Sequence, residues 1–346
     1  MRRLFLIGLL LWGLAIPVQA QELSAPEPTD EALKLMPVEQ NSFGEDLWYV
    51  IRSAVEKLEP EIGDCAKVCM CVLAAVMLLS VLESFHGTTK SVTELAGAVA
   101  VGCLLLSSAS GVIQSAVDTV QELSDYGKLL LPVMSTALAA QGGVTGSAAL
   151  YAGTAIFDAV LSWLIVWAIV PLVYFYIVLS VASAALNESL LDKLKSSAKG
   201  LSVWGLKTIL YVFTGYMTIT GVISGTTDQM ALKATKMTIS GMVPVVGGIL
   251  SDASEAVLVS AGAVKNAVGV YGLIALFAIF IGPFLKIGIQ YLMLKMTASL
   301  CGVFGSKRVT GLISDISGAM GVLLAMTGTV CLLLVISMVC FMKGVS

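Results

Sequence analysis

Asp158 stands inside an apolar run at about residues 148–186. A carboxylate deep in a bilayer costs about 3 kcal/mol and marks an ion or proton path where it occurs. The same residue near the outer end of its run costs little, and the sequence leaves both placements open. A second group is basic. Lys193, Lys195 and Lys199 fall in the 187–206 segment, where Leu190, Leu191, Leu194, Ala198 and Leu201 follow one helical face. Lys307 and Arg308 precede Val309, Leu312, Ile313 and Ile316 in a matching segment. Basic amphipathic helices of this kind either dock onto a partner protein or lie on anionic lipid.

No catalytic constellation accompanies these residues. The Gly-rich pieces lack the Lys-Ser/Thr of a phosphate loop. Ser196 and Ser197 near Lys199 form only a local match to a nucleophile motif, without a supporting base. One histidine, His86, and no compact Cys/His cluster leave no metal site, and no cofactor is expected. Cys65-x3-Cys69-x-Cys71 lacks zinc or redox spacing. Seven cysteines, most among apolar neighbours, indicate small unpaired residues. The sequence is therefore expected to be non-enzymatic.

The elements that position these residues must be membrane helices. Hydrophobic residues make up 57 % of the 346-residue chain and charged residues 12 %, with a mean hydropathy of +0.93. Soluble proteins average roughly 25 % charged, enough to cover a wet surface. The excess apolar surface faces lipid, and a backbone in lipid satisfies itself as helix or closed barrel. Net charge is −3, and removing a signal that holds Arg2, Arg3 and no acid takes it to −5. No basic surplus exists to bind nucleic acid.

Met1-Arg2-Arg3, the apolar stretch from Leu4 to Pro17 and Val18-Gln19-Ala20 predict a secretory signal over 1–20, cut after Ala20. Residues 21–64 read as an extracytoplasmic tail, flexible and acidic to about 47. An amphipathic helix follows on Trp48, Ile51, Val55, Leu58 and Ile62. Apolar runs at about 66–82, 94–114, 148–186, 207–225, 266–300 and 317–342 give about six spans, the first two within 65–115. Lys193, Lys195, Lys199 and Lys207 set one end of this multi-pass cell-membrane protein inside, with Lys286, Lys295, Lys307 and Arg308 around a second inside edge. Asp118, Glu122 and Asp125 suit the outside, as do both mature termini. Segments 129–147 and 238–262, with Gly142, Gly143, Gly247 and Gly248, read as re-entrant or surface pieces. If they span, and Pro171 splits its run, the count rises to eight to ten.

Pro132 and Pro171 are 39 residues apart, as are Pro244 and Pro283, and the pairs are offset by 112. These prolines are candidate helix breaks. Thr214-Gly215 recurs as Thr327-Gly328, and Val222-Ile223-Ser224 as Val335-Ile336-Ser337, both at 113. Residues 130–225 and 242–337 thus read as a parallel duplication inside an all-α polytopic fold. Ala98/Gly102, Ser314/Gly318 and Ser317/Gly321 place small residues one turn apart, as close helix packing requires.

Three stretches carry a family resemblance. They are Ser124-Asp125-Tyr126-Gly127-Lys128-Leu129-Leu130-Leu131-Pro132-Val133-Met134, Gly241-Met242-Val243-Pro244-Val245-Val246-Gly247-Gly248 and Ala298-Ser299-Leu300-Cys301-Gly302. With the signal, the short outside segment and the spans, the chain resembles the stage III sporulation protein AE family of endospore formers. The resemblance implies a component of the channel between mother cell and forespore, in the mother-cell membrane around the forespore. It implies other membrane subunits, a cytoplasmic secretion-type ATPase and a forespore-membrane protein as partners. It carries over no catalytic residue. A stand-alone solute transporter and a scaffold for complex assembly are the alternatives.

Overall fold

The computed structural model describes residues 24–37, 42–85, 90–186, 188–242, 247–304 and 307–343, with side-chain surroundings given outside 83–94, 189, 221–261 and 304. The signal segment with Ala20, and Pro244, lie outside the described residues.

Among the described residues the elements are helices throughout. A short α1 (Asp30–Leu33) and α2 (Phe43–Glu56) lead into α3 (Glu59–Phe85) and α4 (Lys90–Ala140). Then come α5 (Val144–Leu164), a π-helical turn at Ile165–Ile169, and α6 (Val170–Leu186). Three long helices complete the chain: α7 (Ser189–Met242), α8 (Gly247–Phe304) and α9 (Lys307–Lys343). Among the described residues five segments are long and apolar enough to cross a membrane: Glu59–Leu82, Leu95–Ala140, Val144–Leu186, Gly262–Val303 and Lys307–Lys343.

The prolines lie within these rods. Pro132 sits within α4 and Pro283 within α8, and neither ends its helix. Pro171 follows the π turn at Ile165–Ile169, and the rod continues to Leu186. A proline removes one amide donor, and a π turn is a common way for a helix to absorb such a defect. The run around Pro171 is thus one rod of 43 residues, not two spans. At 1.5 Å per residue it is about 64 Å long, twice the ~30 Å hydrocarbon layer, so it tilts or extends beyond it.

The reversal comes instead at Gln141–Gly143. Gly142 adopts φ 92°, and its amide donates to the Ala139 carbonyl at 2.9 Å. The Gly143 amide donates to the Leu138 carbonyl at 3.2 Å. Glycine takes the left-handed conformation without a Cβ clash, and these bonds close the last turn of α4. Residues 129–147 therefore form a tight helical hairpin.

Helix α9 is the axis of the bundle and packs against α4, α5, α6, α7 and α8. Ile313, Ile316, Met320, Leu323, Met326, Val330, Leu334 and Phe341 are buried around most of its circumference. The tail is docked. Ala32 and Leu35 are buried, α1 and α2 pack on α8, and the Tyr126 hydroxyl donates to the Pro26 carbonyl at 3.3 Å. The buried stripe of α2 is Asp46, Val50 and Ala54, whereas Trp48 and Val55 face outward. In a membrane protein an apolar stripe satisfies itself against lipid as readily as against a neighbour, so the pattern alone does not choose.

Candidate functional site

The residues singled out in the sequence fall into three polar places. The first is Asp158 on α5, which is only 4 % exposed. It lies 14 residues into its helix, about 21 Å from the α4–α5 turn. The Ser124 hydroxyl on α4 donates to Asp158 Oδ2 at 2.6 Å, and the Ser162 hydroxyl reaches Ser124 Oγ at 3.4 Å. Asp158 Oδ1 has no partner among the described residues. Its depth is set by packing between two helices, and a buried polar atom without a partner is rare enough to mark a special position. Thr154, one turn earlier, shares a hydrogen bond with Ser337 on α9.

The second place gathers much of the basic group. Lys195 on α7 contacts Asp192 Oδ1 at 2.7 Å and Asp315 Oδ2 on α9 at 2.6 Å. The Tyr176 hydroxyl on α6 reaches Asp315 Oδ1 at 3.4 Å, and the Ser183 hydroxyl donates to Asp192 Oδ1 at 2.6 Å. Three helices are thereby tied together through Lys195. The Lys195 and Ser183 hydrogen bonds hold the Asp192 carboxyl below its ordinary value of 3.8. Burial pushes Lys195 down, but its two carboxylate partners outweigh that and hold it above its ordinary value.

The other basic residues separate. Lys193 and Lys307 are exposed, and Arg308 is half-buried. Lys199 extends over the Tyr176 ring at 6.0 Å, and Lys295 on α8 lies 5.5 Å from the Tyr291 ring centre. Both lysines line a cavity of about 450 Å³ with Tyr176, Tyr291, Asp315 and Gly318. The apolar stripe foreseen for this segment, for a partner or lipid, faces outward except at Ala198. Leu190, Leu194 and Leu201 are exposed, while Lys195, Ala198, Ser202 and Leu206 face the bundle.

The third place was not anticipated. Lys286 on α8, which the sequence suggested lies near the cytoplasmic edge, contacts Glu61 Oε1 at 2.7 Å at the start of α3. Gln290, one turn on, donates to Ser108 Oγ at 2.9 Å. Both pairs line a cleft of about 250 Å³ with Asp64 and Cys65.

Sequence reasoning missed Ser124, Asp192, Asp315, Tyr176 and Tyr291 as site residues. Asp315 carried a signal, since it is the one carboxylate in α9. The tyrosines carried none. Among the described residues no His/Cys/Asp/Glu group is placed to hold a metal, and the cysteines there are unpaired.

These features define an all-helical polytopic membrane protein with polar contacts buried between its rods. The chain belongs to the stage III sporulation protein AE family, whose model matches residues 32–344. It is similar to stage III sporulation protein AE of Bacillus subtilis (strain 168), with 25 % identity over 236 residues. That match covers 68 % of this chain and 59 % of the relative, so the chain spans about three-fifths of the relative's length. No solved structure matches. The chain is therefore a sporulation-related membrane protein.

Proposed function

We propose that this protein is a non-catalytic, multi-span subunit of a sporulation-specific channel complex linking mother cell and forespore. It sits in the mother-cell membrane around the forespore. Family membership supports the sporulation role. The observation that carries the further step is the separation of two docking regions along the bundle. Lys193, Lys195 and Lys199 lie in the first turns of α7 and Lys307 opens α9, and the Lys195–Asp315 pair ties these two helix starts together. The acidic tail packs on α8 and reaches Tyr126 in the second half of α4, whose neighbour Gly127 lies against Leu334, 19 positions from Asp315 along α9. A subunit built this way meets a cytoplasmic partner, such as a secretion-type ATPase, at its basic end. It meets companion membrane subunits and a forespore-membrane protein along its other surfaces.

We also read residues 130–225 and 242–337 as a duplicated unit. The rod α5–α6 with its hairpin partner α7, and α8 with α9, both pair a proline-bearing rod with the helix that follows. A second reading, a solute transporter with a path at Asp158, draws on the unpartnered Oδ1. Deleting the gene tests the leading reading. Spore formation is expected to arrest with the forespore engulfed, and normal spore yield would contradict it.

A further inference from the structure

The cavity at the basic end has the charge and shape to hold a phosphate group. Lys199 and Lys295 project onto it from α7 and α8, and neither contacts a carboxylate among the described residues. The cavity's carboxylate, Asp315, is already engaged by Lys195 and Tyr176. Three lysines thus stand around two aspartates, Asp192 and Asp315, leaving one positive charge uncompensated. The space is made by a glycine. A Cβ at Gly318 would come within 2.7 Å of Lys199 Nζ and 3.0 Å of the Tyr176 hydroxyl. Gly321, one turn on, faces the Tyr291 ring in the same way at 3.5 Å.

The two helices also carry exposed apolar residues near these lysines in the chain. Leu201 and Trp204 beside Lys199, and Met296 and Leu300 beside Lys295, are all more than half exposed. Val203, Val322 and Leu324 give the charged cavity apolar walls, and the helices that carry its lysines present exposed aliphatic and indole surface outward, which suits a molecule with an anionic head and hydrocarbon chains. Basic pockets between membrane helices take phospholipid headgroups in this way, and tryptophan favours the headgroup level.

We propose that the Lys199–Lys295 cavity binds the phosphate headgroup of an anionic glycerophospholipid, with its acyl chains along α7 and α8. The head bridges α7, α8 and α9 and reinforces the Lys195–Asp315 contact beside it. This site shares Lys199 with the basic end proposed to meet a partner, whereas Lys193 and Lys307 lie outside the cavity, so their variants separate the two roles.

The test uses the full chain in detergent, titrated with phosphatidylglycerol or phosphatidylcholine and read by lipid-induced change in Tm and by Kd. Phosphatidylglycerol is expected to bind about tenfold more tightly. The double variant Lys199→Gln, Lys295→Gln should lose that preference, and Lys193→Gln should keep it. Gly318→Ala leaves every charge in place and should weaken phosphatidylglycerol binding several-fold, so it carries the test if the double variant does not fold. Retained preference in the double variant or in Gly318→Ala overturns the proposal. So does equal loss in Lys193→Gln. Full displacement of the lipid by inorganic phosphate at the lipid's own concentration would reassign the cavity to a free anion and overturn it as well.

Discussion

Lys195 on α7 and Asp315 on α9 meet at 2.6 Å, with side chains only 18 % and 23 % exposed, and so join two helices separated by 120 positions in the chain. Lys195 also holds Asp192, so the pair is asymmetric. Lys195→Met strands two carboxylates, whereas Asp315→Asn leaves Lys195 one partner. Lys195→Met is therefore expected to destabilise more than Asp315→Asn. A double-mutant cycle read by thermal unfolding should give a coupling of about 1–3 kcal/mol. Equal single-variant losses with no coupling would show that the contact carries no stability.

The same cluster predicts a pH response. Asp192 has a depressed folded value, so its contribution is present above its ordinary 3.8 and is lost as pH falls through the lower folded value. Lys195 is raised, so its contribution holds below its ordinary 10.5 and is lost as pH rises through the higher folded value. Between pH 5 and 9 the cluster should add no pH dependence to Tm, and Lys195→Met should flatten the decline below pH 3.8. Identical acid limbs in wild type and variant would contradict this.

Gly153 on α5 admits Tyr216 of α7, whose hydroxyl donates to the Ala149 carbonyl at 3.1 Å. A Cβ at 153 would collide with the Tyr216 ring. Gly153→Ala is expected to cost about 1–3 kcal/mol, and Tyr216→Leu in the same chain should recover part of it. A Gly153→Ala protein as stable as wild type would disprove the close approach.

Asp158 separates the two functional readings. Asp158→Asn keeps the shape and the acceptor for Ser124, so a subunit without an ion path should still support wild-type sporulation. A severe sporulation defect with normal protein levels would favour the transporter. Asp158→Ala strands Ser124 and opens a void, so it should lower stability by about 2–4 kcal/mol whichever reading holds.

The rod from Val144 to Leu186 passes Pro171 without reversing. Single cysteines at 140 and 193 in a cysteine-free chain should therefore lie on opposite sides of the membrane. An impermeant maleimide should reach one in intact cells and the other only after lysis. Labelling of both from one side would mean that the rod folds back on itself.

Helicity and the polytopic character were legible in the sequence, because charge and apolar length report directly on them, whereas the meeting of Lys195 with Asp315 was not. Nor was the inward face. Leu190, Leu194 and Leu201 face outward, as a stripe meant for a partner or lipid does, but nothing in their spacing showed that Lys195 and Ser202 face the bundle. In water an apolar face has one place to go, but in lipid it has two. The depth of Asp158 was hidden for a related reason: Ser124, 34 residues earlier, sets it through packing. The continuity at Pro171 was hidden because a π turn leaves no composition signal.

Affinity purification of the full chain from sporulating cells tests the central claim most directly. The account predicts co-purification of a cytoplasmic secretion-type ATPase and further membrane subunits of sporulation. It also predicts that charge reversal at Lys193 and Lys307 loses the ATPase. Recovery of the chain alone at the stage when the forespore is engulfed would contradict it.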